Sequence, residues 1–283
     1  MKKLRVSFLP IVVLIEIGVA LSGCATTPRI IPVPTSPGAV RPAPEQITDY
    51  PVALAAIVSV LTEELNIPVP RVDLYLYSSR YALEQALITE SRYDPTRASE
   101  TASFSLGTAS AGKVRSNDAI LQRLPWRGRI RHLAHELTHT VQFALADGRR
   151  STSDQWLREG FANWTALRVL ESLGFDTYAQ NHGEFLLHIR SARDYQPFPS
   201  LSQLVTNREW VNLKLKYGEA MTYGQSFFAT ELLIQRHGVQ AVIDYFRLFA
   251  RSRDRLDNFR VAFGQDILTF ETEFAAYLQD LLK

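Results

Sequence analysis

The pentapeptide His135-Glu136-Leu137-Thr138-His139 constrains this chain more than any other stretch. Residues four apart on an α-helix lie one above the other on the same face, so His135 and His139 can present two imidazole nitrogens to a single ion. Glu136 falls beside that ion rather than on it, where a carboxylate can take a proton from metal-activated water. Two histidines leave the shell short of protein ligands. Glu159, in Trp156-Leu157-Arg158-Glu159-Gly160, is the best candidate for the third, because two histidines, one glutamate and an open position make a common catalytic zinc shell. The competing reading is a pair of surface histidines on an ordinary helix. The flanking sequence argues against it: residues 126–134 lead into the pentapeptide, 140–145 continue it at helical period, and Asp147-Gly148 supplies a stop.

At these residues the sequence resembles the gluzincin metallopeptidases, and more narrowly their peptidase MA-like branches, in which H-E-x-x-H is followed on the next helix by W-L-x-E-G-x-A. Here that second pattern reads Trp156-Leu157-Arg158-Glu159-Gly160-Phe161-Ala162, a full match. The resemblance implies that His135, His139 and Glu159 bind zinc and that Glu136 is the general base. The separation of His139 from Glu159 is also that of thermolysin-like enzymes. The match covers about residues 127–168, so it bears on a reaction centre and not on a particular substrate.

The chain opens with a basic Met1-Lys2-Lys3-Leu4-Arg5 and an apolar run over 6–21 that ends in Leu21-Ser22-Gly23-Cys24. This is the pattern of a signal peptide. Its end resembles the lipobox of bacterial lipoproteins, which implies that residues 1–23 are removed and that Cys24 is lipid-modified. Glu16 inside the apolar run is the feature that fits this least. Cys24 is the single cysteine, so no internal disulfide is possible. Without residues 1–23 the 31 basic residues become 28 and the 29 acidic residues become 28, leaving a neutral chain. That balance gives no reason to expect a nucleic-acid partner, and the clusters at 127–131 and 251–255 are too short and mixed to supply one.

Residues 24–45 carry Pro28, Pro32, Pro34, Pro37, Pro42 and Pro44 and read as an extended tether holding a domain off a membrane surface. Residues 46–283 are long enough for one well-buried domain, with no second linker to divide them. Within them the spacing predicts a helix over 52–65, a strand over 71–77 and a helix over 79–89. A hairpin is expected between 103–107 and 111–115, and a short helix over 117–124 stopped by Pro125. By resemblance to gluzincins this hairpin is the sheet edge that pairs with extended substrate; a plain surface hairpin is the other reading. Beyond 154 the period is helical nearly throughout, over 154–173, 178–191, 201–204, 223–237, 239–251, 256–263 and 266–282. The expected class is α+β of the zincin kind: a small N-terminal sheet beside an active-site helix, then a mostly helical C-terminal part.

His132 shares the histidine face but stands about two turns, roughly 10 Å, from His139, too far for all three to converge on one ion. Asn163, one turn after Glu159, is placed to accept the outer ring proton of a ligating histidine; gluzincins often carry an acidic residue there. An oxyanion donor is also required. Tyr223 starts a segment that loosely resembles the tyrosine-led helix of peptidase MA-like families, with Tyr217 and His182 as rivals and a core role open among eleven tyrosines. His188 and His237 read as ordinary helix residues, and Trp156, Phe161 and Trp164 as core packing.

The expected function is zinc-dependent hydrolysis of peptide bonds in a bacterial cell envelope, on a protein anchored through Cys24. The outer membrane is favoured in a Gram-negative cell because Thr26, not aspartate, follows the cysteine closely. The alternative is a non-catalytic envelope lipoprotein that keeps the fold as a binding or assembly module. An aminopeptidase is disfavoured, since the G-x-M-E-N segment of related aminopeptidases is absent.

Overall fold

The computed structural model describes residues 27–36, 41–149, 152–192 and 198–283; the expected signal peptide and Cys24 lie outside them. Four strands form one sheet in the order β1-β2-β4-β3. β2 (Asp73–Tyr77) forms where Leu74 and Leu76 alternate with half-buried Asp73 and Tyr75. It runs parallel to β4 (Lys113–Asn117), Leu74 opposite Val114. β3 (Gly107–Ser110) is the antiparallel partner of β4, with Gly107 opposite Ser116, and forms one edge.

The other edge corrects the tether expectation. Arg29–Pro32, inside the proline-rich segment, is a strand (β1) paired antiparallel with β2, and Val33 beyond it is buried and donates its backbone N–H to the Val72 carbonyl at 2.9 Å. Proline is compatible with an edge strand, whose outer N–H groups need no ladder partner.

Helix α1 (Tyr50–Ser59) is capped by the Asp49 carboxylate and runs on through a π-turn at Val60–Glu64. The crossover from β2 to the hairpin contains two helices, the expected α2 (Arg80–Thr89) and an unanticipated α3 (Pro95–Phe104) capped by Asp94. The hairpin therefore starts at Gly107 rather than at 103. Its turn is Ala111-Gly112, and Gly112 takes φ 69°. After the short α4 (Asp118–Leu121), Pro125 starts α5 (Trp126–Leu145), the helix of the two histidines.

The rest is helical: α6 (Gln155–Ser172), α7 (Tyr178–Ser191), a 3-10 turn at Leu201–Leu204, α8 (Asn207–Tyr217), a π-turn at Ala220–Gly224, α9 (Gln225–Leu248), α10 (Arg255–Phe263) and α11 (Ile267–Leu281). Gly238, at φ 79°, breaks α9 where two separate helices were expected. The class is mixed α+β, 66% helical with the one small sheet. One core joins the sheet residues Leu74, Leu76 and Val114 to Leu133 and Leu137 of α5, to Trp156 and Phe161 of α6 and to the aromatic cluster of α9–α11.

Candidate metal centre

α5 is amphipathic. Ile130, Leu133, Ala134, Leu137 and Val141 follow helical spacing and are at most 1% exposed, which fixes the helix's rotation about its axis. That rotation turns the histidine face toward the sheet edge and α6. The sheet side is pinned by Ser116 of β4, whose hydroxyl lies 2.9 Å from His132 Nε2. Gly107 is required there, because a methyl group on it would meet Ser116 Oγ at 2.8 Å and His132 Nε2 at 3.0 Å. His132 is thus a buried link between helix and sheet, and burial pushes its imidazole pKa down to about 4.

Glu159 is delivered by α6. The first turn of that helix is held by Asp154, whose fully buried carboxylate accepts from the Tyr245 hydroxyl at 2.5 Å and from Arg255 Nη1 at 2.7 Å. Gly160 lets α6 lie against α9, since a Cβ there would overlap the Ser226 carbonyl and the Thr230 hydroxyl. This close approach is the physical reason for glycine after the glutamate.

The three expected ligands converge. His135 Nε2 and His139 Nε2 are 3.1 Å apart, and Glu159 Oε2 stands 3.4 Å from the first and 3.5 Å from the second. Ligand bonds of about 2.0–2.1 Å at a tetrahedral ion put neighbouring ligand atoms about 3.3–3.4 Å apart, so the triangle is of the right size for one.

The hydrogen bonding around it points the same way. Gln142 Nε2 donates to the Arg158 carbonyl at 2.9 Å, which leaves Gln142 Oε1 as the acceptor 3.0 Å from His139 Nδ1. The network therefore assigns the proton of neutral His139 to Nδ1 and a lone pair to Nε2. Glu159 Oε1 is occupied by Gln155 Nε2 at 2.7 Å, so Oε2 is the oxygen left facing the histidines. The lone pair of His139 Nε2 and the free oxygen of Glu159 meet beside His135 Nε2, and a cation there is what relieves their repulsion. Burial works against charging His135, yet the hydrogen bond and charge of Glu159, with Glu136, raise its pKa. Burial likewise opposes ionising Glu159, and the two histidines still hold its pKa well below the usual range. Among the described residues this is the one cluster of three or more histidine, cysteine or acidic side chains arranged to hold a metal ion.

His135 opens onto a cavity of about 430 Å³, also lined by Glu136, Asn163 and Tyr223. His139 and Glu159 lie behind it, 6% and 8% exposed. Asn163 reaches the cavity wall, and its Nδ2 has no hydrogen-bond partner. Tyr223 comes from the π-turn, its ring edge-on to Trp210 at 5.0 Å. Burial, then the charges of Glu159, Glu219 and Glu136, raise its pKa well above the ordinary value, so its hydroxyl keeps a proton to donate. Neither Tyr217 nor His182 lines the cavity, whereas His188 does. Trp156 stacks on Phe270, and Phe161 on Trp164, within the core. A second cavity, of about 370 Å³ around Tyr50 and Trp126, has no histidine in its wall.

No family model, curated protein or solved structure matches the chain.

Gln142 and Gln155 escape a motif search, although spacing alone could have found them. Gln142 is three residues after His139 and Gln155 four before Glu159, each on the face of the ligand it orients. Arg131, Glu184, Lys214 and Glu219 also belong to the cavity wall, and no local signal marks them.

Proposed function

We propose that this protein is a zinc metallopeptidase of the gluzincin type with a zincin-like fold. The observation that carries this reading is the convergence of His135 Nε2, His139 Nε2 and Glu159 Oε2 beside a cavity that also holds Glu136 and a protonated Tyr223. Zinc held by those three atoms would supply Lewis acidity beside the cavity.

The chain's own residues do the rest. Glu136 lies in the cavity wall next to His135 and takes the proton of the attacking water, then returns it to the leaving amine. Tyr223 donates to the carbonyl oxygen as negative charge develops on it. Gln142 keeps His139 in its Nδ1–H tautomer and Gln155 aims Glu159 Oε2, so neither ligand has to reorganise. Asn163 is the proposed acceptor for an outer ring proton through its carbonyl oxygen. It is a weaker partner than a carboxylate, and this one departure is what favours the alternative of a non-catalytic binding module.

Glu136→Gln separates the two readings. The substitution preserves size and all three ligands, so zinc content should match the wild type while cleavage of a peptide library falls by roughly 10²–10⁴-fold. A wild-type protein that holds zinc but cleaves no peptide would favour the binding module.

The chain is also proposed to sit at a bacterial envelope membrane through a lipid on Cys24. No helix among the described residues is long and apolar enough to cross a membrane. Cys24→Ser should move the protein out of the membrane fraction; equal recovery there would remove the anchor.

A further inference from the structure

We propose that Arg131 is a specificity-determining residue that binds a carboxylate of the substrate, so that the preferred peptides carry a free C-terminus or an acidic side chain near the scissile bond. The inference rests on the peptidase reading only for the ligand's being a peptide.

Arg131 lies one helical turn before His135 on α5, partly buried in the wall of the same cavity. Its guanidinium lies over the Phe185 ring, 5.5 Å from the centroid, and among the described residues it makes no ion pair within 4 Å. The other charges on the α7 and α8 side of that wall are engaged. Lys214 Nζ is 3.0 Å from Glu219 Oε1. Glu184 is claimed from outside by Arg127, at 3.3 Å, and Arg127 is also held by Asp176 at 2.5 Å. Burial and the charge of Arg127 lower the pKa of Arg131 and outweigh the opposing charges of Glu184, Asp176 and Glu219, none of which is in contact with it.

A guanidinium kept partly out of water with no counter-ion in contact is costly. The cost is offset when a ligand brings a carboxylate, which the planar fork accepts through two parallel hydrogen bonds. Phe185 and Leu106 line the same cavity and give the neighbouring part of such a ligand apolar surface. A free terminal carboxylate and an aspartate or glutamate side chain offer the same group, and the assay has to distinguish them.

The test uses the zinc-loaded full chain and two sets of paired peptides. One pair differs only in a free or amidated C-terminus, the other in aspartate or glutamate against asparagine or glutamine around the cleaved bond. Each pair is measured twice: as KM and kcat on the wild type, and as Kd by calorimetry on Glu136→Gln. One of the pairs should favour the carboxylate member by about tenfold or more, in KM and Kd rather than in kcat. Adding Arg131→Gln should bring that ratio close to one, and Arg131→Lys should restore part of it, with zinc content unchanged in both. Absence of carboxylate preference in both pairs, or a preference that survives Arg131→Gln, overturns the proposal. Carboxylate-selective binding without any cleavage would leave Arg131 in place and remove the peptidase reading. Cleavage without selectivity would do the reverse.

Discussion

Among the described residues two buried glutamates face histidines, and only one of the two groups is complete in itself. Glu231, 3% exposed, receives the Tyr178 hydroxyl at 2.5 Å on one oxygen and His182 Nε2 at 3.1 Å on the other. Glu159, 8% exposed, has a donor on one oxygen only, and its second oxygen meets two imidazole nitrogens, one of them assigned as a lone pair. Donors facing acceptors make a structural contact that needs no visitor. An imidazole lone pair facing a carboxylate oxygen, at the separations of a coordination shell, makes a group arranged to hold a metal ion. Residue type alone does not separate the two groups. What separates them is where the protons sit.

That difference can be attacked through the tyrosine beside each group. Tyr223→Phe should lower turnover by roughly a hundredfold or more, the usual consequence of removing one oxyanion donor, with zinc content unchanged. An unaffected kcat would end the role given to Tyr223. Tyr178→Phe should do the opposite. It leaves a buried oxygen of Glu231 without its donor, so urea denaturation should report a loss of about 1–3 kcal/mol while kcat stays at the wild-type value. A large activity loss with normal stability would mean that the second group is not merely structural.

A smaller, pH-dependent effect comes from His132, a buried histidine that is satisfied by Ser116. Its folded pKa, about 4, lies below its ordinary value near 6.5, so the unfolded chain takes up the proton first. Stability is therefore unaffected by this group above pH 6.5 and falls as pH drops from there toward 4, by about 2–3 kcal/mol. Comparing denaturant midpoints at pH 7 and 4.5 in the wild type and in His132→Asn should show the larger acid loss in the wild type. Equal losses would remove His132 from the account.

The legible parts of the chain were those where two signals coincide. α5 and α6 combine helical period with ligand spacing, and their extents match expectation within a residue or two at each end. Three elements escaped because composition hid them. β1 lies among prolines that suggest a tether, yet an edge strand tolerates proline. α3 is built of small and polar residues with no apolar stripe to read, although Asp94-Pro95 marks its start. α8 is mostly exposed, and its capping box of Thr206 and Glu209 was a readable start signal. At the site, the histidine pair follows from helical spacing and Glu159 from the chemistry of a two-histidine shell and the resemblance, but the cavity wall does not. Arg131, His188 and Lys214 come from three helices and meet only through tertiary packing.

Zinc titration of the metal-free protein addresses the lone-pair argument most directly. Calorimetry on the wild type should give one site per chain. Glu159→Ala removes one corner of the triangle and should weaken binding by about a hundredfold or more, whereas Glu231→Gln, in the self-satisfied group, should leave the zinc affinity at the wild-type value. If Glu159→Ala binds zinc as tightly as the wild type, the three converging side chains are not a metal site and the account fails.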